Sequence, residues 1–225
     1  MTCEHAYKIY YKNSDVYYCF DCRHILSPFL FPKREQKEYK ECIAPPMFED
    51  FTEERWYKLT PWNISYELAK ENYFYFGCIG DGEYIILPVV KEGKMIFYTA
   101  RTVEGRKPKY LTAKWCKKQY WVSERETKNY VFICEGTADA VFMSQFDSSV
   151  ALMGINYDSS LDDYLIGKNI VIVFDNDLMG HFGALQVSLH FKQVQSIQSL
   201  NLDKDPADYT ITEMEEHLHN AGLFI

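Results

Sequence analysis

The sequence lacks any apolar run near the roughly 20 residues that a membrane-spanning helix needs. Its opening, MTCEHAYKIYYKNSD, lacks the apolar stretch of a secretion signal. Both absences predict a cytoplasmic protein without a membrane partner. There is no G-x-x-x-x-G-K-S/T phosphate loop, which excludes a fused ring helicase, and there is no internal repeat or low-complexity tract. Wholesale disorder is excluded as well, because 47% hydrophobic and 25% charged residues are ordinary globular values. A length of 225 residues suggests one or two domains, with room for a small stapled module.

Seven cysteines are present. In a reducing compartment they point to metal binding rather than to a disulfide framework. The net charge of −8 argues at first against nucleic acid, but its distribution is uneven. Residues 88–130 carry eleven Lys/Arg and four Asp/Glu, a net of +7, between stretches of −4 and −11. A lysine-rich solvated face explains this. So does a groove for phosphates beside carboxylates that hold a divalent cation.

Along the chain, Lys8–Tyr11 and Val16–Cys19 flank the polar turn Lys12-Asn13-Ser14-Asp15 and predict a β-hairpin. Residues 33–50 are charged and irregular, with Pro45-Pro46 blocking regular structure, and read as a linker after a module at 1–32. Residues 51–128 look α+β, with a helix from Glu67 to Tyr75 and strands at Tyr84–Val90 and Met95–Ala100 joined by a turn at Glu92-Gly93. From 129 to 225, strands at Val131–Cys134, Val150–Leu152 and Ile170–Phe174 alternate with helices at 137–145, 183–191 and 210–219. That alternation implies a parallel sheet.

Carboxylates follow those strands. Glu135 and Asp139 follow the first, Asp175 and Asp177 the strongest, and Asp205 and Asp208 come later. Ligands of open α/β sheets bind at the carboxyl ends of strands. Converging carboxylates there repel one another unless a cation joins them, and hard oxygen donors select magnesium or manganese. Each acid taken singly is as well explained as a helix N-cap.

Glu135-Gly136-Thr137-Ala138-Asp139-Ala140 and Asp175-Asn176-Asp177-Leu178-Met179-Gly180 resemble the E-G-x-x-D-A and D-x-D-x-x-G signatures of the TOPRIM fold. Lys204-Asp205-Pro206 with Asp208 resembles the third acidic element of DnaG-like primases. The hairpin ending at Arg101, followed by Lys107-Pro108-Lys109-Tyr110-Leu111, is similar to the basic subdomain that precedes TOPRIM in those primases. Tyr18-Cys19-Phe20-Asp21-Cys22 resembles the knuckle closing their zinc ribbon. The likeness covers residues 84–210 well and 51–83 poorly.

The resemblance implies an α/β protein with a small N-terminal zinc ribbon, an α+β basic subdomain and a C-terminal TOPRIM domain on a mainly parallel sheet. It implies a phage- or plasmid-type DNA primase making short RNA primers on single-stranded DNA from ribonucleoside triphosphates, beside a separate replicative helicase. Asp175, Asp177, Asp205 and Glu135 would hold magnesium or manganese, with Glu135 alternatively a general base. Asp139 and Asp208 would be further ligands or orienting groups, and Arg101, Lys107, Lys109 and Tyr110 would meet nucleotide or template. Structural zinc would take Cys3, His5, Cys19 and Cys22. Because Cys3-x-His5 departs from the usual C-x-x-H or C-x-x-C pair, Cys42 or His24 are alternatives. Two rival readings stay open: a non-priming zinc-ribbon regulatory protein and a TOPRIM nuclease.

Other residues read mainly as packing. Cys134, Cys78 and Cys116 are expected in or near the core. Trp115, Tyr120 and Trp121, among Lys114, Lys117 and Lys118, suit either the core or stacking on single-stranded DNA.

Overall fold

The computed structural model describes residues 8–11, 16–19, 25–26, 39–48, 50–125, 130–154, 157, 159–190, 194 and 196–223. The chain divides into two compact units, residues 1–38 and 39–225. In the first, β1 (Lys8–Tyr11), β2 (Val16–Cys19) and β3 (Ile25–Leu26) form an antiparallel sheet in that order. The expected hairpin is present, with Lys8 opposite Cys19 and Tyr11 opposite Val16. Cys3, His5, Cys22 and His24 lie outside the described residues, as does the side chain of Cys19.

The second unit opens with an irregular stretch, as Pro45-Pro46 requires, but hydrogen bonds fasten it down. Lys40 N–H donates to Trp115 O at 2.8 Å, Phe48 N–H to Phe76 O at 2.9 Å and Cys78 N–H to Pro46 O at 3.1 Å. Cys42 lies against Cys116. Helix α1 (Glu53–Leu59) follows, capped by Thr52 with Glu53 and Glu54 in its first turn. Helix α2 (Tyr66–Glu71) is capped by Ser65 and ends four residues short of the expected Tyr75. Asn72 closes it, Tyr73 turns left-handed at φ 59°, and the chain leaves as strand β4 (Tyr75–Ile79). The run Tyr73-Phe74-Tyr75-Phe76 favours a pleated strand over a helix.

Strands β4, β5 (Gly82–Lys91), β6 (Lys94–Thr102) and β7 (Tyr110–Thr112) form one antiparallel sheet in sequence order. The β5–β6 turn is the expected Glu92-Gly93, both residues at positive φ (52° and 74°), as a two-residue hairpin turn demands.

A five-stranded sheet has the order β12-β11-β9-β10-β8. It comprises β8 (Trp121–Ser123), β9 (Tyr130–Cys134), β10 (Ser148–Ala151), β11 (Asn169–Val173) and β12 (Ser196–Ser199). All pairings are parallel except β10 with β8. Helix α3 (Thr137–Met143) links β9 to β10, α4 (Asp162–Leu165) precedes β11, and α5 (Leu178–His190) links β11 to β12. Helix α6 (Ile211–Asn220) closes the described chain behind a capping box of Thr210 and Glu213. The helix expected at 183–191 thus begins five residues earlier, directly after Asp177.

Alternation along β9 and β11 splits the core. Val131, Ile133, Ile170 and Ile172 face one apolar cluster with Leu165 and Val187. Phe132, Cys134, Val171 and Val173 face the other. That second cluster continues through Trp56, Phe76, Ile86 and Leu87 of the antiparallel half, so both sheets share one core. Trp121 is buried in it, as the core reading expects, whereas Trp115 is 73% exposed. Among the described residues no helix is long and apolar enough to cross a membrane.

Candidate active site

From β9 the chain runs through α3 to β10 on one side, whereas β11 and β12 lie on the other. The strand order therefore reverses between β9 and β11, the switch point at whose carboxyl ends open α/β sheets hold their ligand crevice. Cys134 ends β9 directly opposite Val173, the end of β11. Glu135 and Asp175, one and two residues beyond, emerge side by side at that switch point.

Two glycines let the acids approach. A Cβ on Gly180 would stand 2.1 Å from the Asp175 carbonyl oxygen and 3.0 Å from Glu135 Oε1. On Gly136 it would stand 2.9 Å from Asp139 Oδ2. The glycines of the two motifs are therefore spacing elements, because a side chain at either would displace a carboxylate or its strand end. Asp177 Oδ1 accepts the Gly180 N–H at 2.7 Å and shapes the start of α5.

The third acidic segment comes in from the far end of the chain. Pro206–Asp208 forms a 3-10 turn, and Ala207 N–H donates to Asp139 Oδ1 at 3.2 Å. The backbone N–H of Asn63 donates to Ala207 O at 2.7 Å, and its Nδ2 donates to Asp208 O at 3.1 Å. Asn63 is the site residue that sequence reasoning missed. Only its place after the buried Trp62, in the poorly matched stretch, could have drawn attention to it.

The carboxyls sense one another. Burial, with the Asp175 charge adding, raises Glu135 from 4.5 to about 7 against an opposing hydrogen bond from the Asp175 backbone. Burial and Asp175 likewise raise Asp139 from 3.8 to about 7, opposed by the Ala207 N–H. Burial, Asp205 and Asp177 raise Asp175 to about 6, and Lys109 pulls it back. Asp208 is raised by burial and Asp205, while Arg101, Lys109 and Lys204 lower it. So the charges of Arg101 on β6 and of Lys109 just before β7 act on these carboxylates. Arg101 Nη1 donates to Tyr110 Oη at 2.7 Å, and its guanidinium lies 5.1 Å from the Trp62 ring centroid. The Asp139 and Asp205 charges in turn help, after burial, to raise the Tyr110 hydroxyl. Lys107 lies exposed in the β6–β7 loop and is not among the charges that chiefly set these carboxyls.

The donor set suits a hard divalent cation: every member is a carboxylate oxygen, and Glu135 Oε1 is buried with no hydrogen-bond partner. Among the described residues, no three or more His, Cys, Asp or Glu side chains are already drawn together as a metal cage. The acids stand as mutually repelling neighbours.

No protein-family model matches the chain, and no curated protein matches it in sequence. Solved structures do share its architecture. The primase fragment of the bacteriophage T7 primase-helicase aligns with 92% of this chain and 90% of its own length, at 14% identity and TM-score 0.53. A DnaG primase catalytic domain bound to single-stranded DNA aligns over 76% and 70%, at 16% identity and TM-score 0.56. The E. coli primase catalytic core aligns over 74% and 72%, at 16% identity and TM-score 0.52.

The fold is that of a DnaG-type primase core. In this fold the antiparallel half brings Arg101, Lys109 and Tyr110 toward the mainly parallel half, which carries Glu135, Asp139, Asp175, Asp177, Asp205 and Asp208.

Proposed function

We propose that the chain is a DNA primase that joins ribonucleoside triphosphates into short RNA primers on a single-stranded DNA template. One observation carries this reading: carboxylates from three separate segments couple to one another at the β9/β11 switch point, with Arg101 and Lys109 alongside. Acids alone would repel a triphosphate and bases alone would repel a cation. Their juxtaposition suits a nucleotide that arrives with its metal. A DnaG domain of the same fold has been solved on single-stranded DNA, and the T7 relative is a primase-helicase. A DNA template and a separate helicase are accordingly the partners proposed here.

Asp175, Asp177, Asp205 and Glu135 would hold magnesium or manganese. The bound ion would lower the pKa of the attacking 3′-hydroxyl and neutralise charge on the leaving pyrophosphate. Glu135, raised to about 7, is poised to accept a proton near neutral pH as an alternative to ligation. Arg101 and Lys109 would bind triphosphate or template phosphates, arginine bidentately. Asp139 orients the 206–208 turn through Ala207. In the first unit, Cys3, His5, Cys19 and Cys22 are proposed to hold one structural zinc. The hairpin that ends at Cys19 offers the start of a thiolate and imidazole set of the kind zinc takes.

The test is incubation with single-stranded DNA, labelled ribonucleotides and magnesium or manganese, with Asp175→Asn and Glu135→Gln as controls. A ladder of short RNA that both variants abolish is expected. Cutting of DNA without nucleotides would select a nuclease, and neither product would select the regulatory reading.

A further inference from the structure

Helix α5 is built inside out. A surface helix ordinarily turns its large apolar side chains to the core and its polar ones to water. Here Gly180, Gly183 and Val187 are buried and Ala184 half-buried against the sheet, while the large residues point outward. Leu178 is 83% exposed, Met179 54%, Phe182 37%, Leu185 57% and Leu189 68%. Leu178, Phe182, Leu185 and Leu189 are spaced four, three and four, the a/d rhythm of a helix that packs against another helix. Beside them a groove of about 240 Å³ is lined by Asp175 and Gly180 of the candidate site as well as by Ala184, Leu185, Ser188 and Leu200. A contiguous apolar stripe of this kind marks an interaction surface.

We propose that this face binds a second copy of the chain, α5 against α5, across a two-fold axis. Charge and size argue for that occupant. The helix, LMGHFGALQVSLH, contains no Asp, Glu, Lys or Arg, although residues 131–225 as a whole carry −11. Two acidic molecules can therefore meet along Phe182 to Leu189 without a charged side chain of α5 in the contact. The nearest acids, Asp175 and Asp177, precede the helix, so the contact is centred on Phe182, Leu185 and Leu189. The a/d stripe is also self-complementary, as an isologous contact requires: Phe182, Leu185 and Leu189 of one copy pack between those of the other. Thirteen residues make a helix about 20 Å long. Two such faces bury at most on the order of 1,000 Å² in total, near the lower bound for a specific interface. The dimer is accordingly weak and dependent on concentration.

Sedimentation velocity of the full chain from roughly 1 to 200 µM tests this, since micromolar affinity is the class expected for so small a contact. The native chain should pass from monomer to dimer across that range. Leu185→Asp should raise the dissociation constant at least tenfold, with an unchanged far-UV circular dichroism spectrum because the side chain is largely exposed. Leu189→Asp is the second variant should the first fail to fold. Mixing Leu185→Asp with Leu185→Lys should restore a dimer that neither forms alone. A native chain that stays monomeric at 200 µM overturns the proposal, and so does a Leu185→Asp or Leu189→Asp variant that dimerises as the native chain does.

Discussion

Asn63 donates its backbone N–H to the carbonyl of Ala207 at 2.7 Å, tying the aromatic half of the body to the turn that bears Asp205 and Asp208. Its side chain adds a bond to Asp208 O at 3.1 Å. Asn63→Ala keeps the first bond and loses the second, worth about 0.5–1 kcal/mol at this exposed position. The expected outcome is a two- to fivefold rise in the magnesium concentration for half-maximal primer synthesis, ~0.5–1 kcal/mol expressed as a ratio. The unfolding midpoint should hardly move. An unchanged magnesium titration would show that the amide does not position the third acidic segment.

Gly180→Ala should destabilise the protein by about 1–3 kcal/mol, because the new methyl must displace either the β11 end or the start of α5. Urea unfolding measures this. A loss below about 0.5 kcal/mol, the ordinary range of surface substitutions, would mean that the close approach relaxes freely.

The pH dependence of the metal-free protein has a definite sign. Glu135, Asp139 and Asp175 titrate higher in the folded chain than their ordinary 4.5 and 3.8, at about 7, 7 and 6. The folded state therefore holds protons that the unfolded chain has released. Stability contributed by these groups is fully present near pH 4 and is lost as the pH rises to about 7. With a chelator present, the melting temperature should fall from pH 5 to 7.5, and magnesium should reverse the fall at the upper end. A melting temperature that stays flat or rises over that window sinks the coupled cluster.

Lys109→Ala removes the charge that lowers both Asp175 and Asp208. Single-stranded DNA binding, followed by fluorescence anisotropy at several salt concentrations, should weaken with a log–log slope smaller by about 0.7. Arg101→Ala should do the same and also free the Tyr110 hydroxyl. Unchanged slopes in both variants would leave the basic segment as a solvated face.

The acids at the ends of β9 and β11 were legible because both strands are short apolar runs and both motifs carry glycines that the backbone approach requires. The β5–β6 hairpin was legible through Glu92-Gly93. Asn63 was not, since a contact between distant segments leaves no local pattern. Strand β12 was missed because Ser196-Ile197-Gln198-Ser199 lies half in water at a sheet edge and shows no apolar run. The start of α5 was misplaced for the reason that makes the helix unusual: the first half of its inward face is Gly180, Gly183 and Ala184, so apolar periodicity cannot find it. The end of α2 was misjudged because Tyr73 to Phe76 extend the apolar run while changing its period.

The shared core that joins the two sheets also fixes how the site is held. Trp56 and Phe76 on one side and Phe132 and Val173 on the other are parts of a single packed body. Arg101 on β6 and Lys109 directly before β7 belong to that same body, so the spacing of cationic and anionic groups is set by the packing, and a cavity opened at Trp56 would be felt as lost alignment at Asp175.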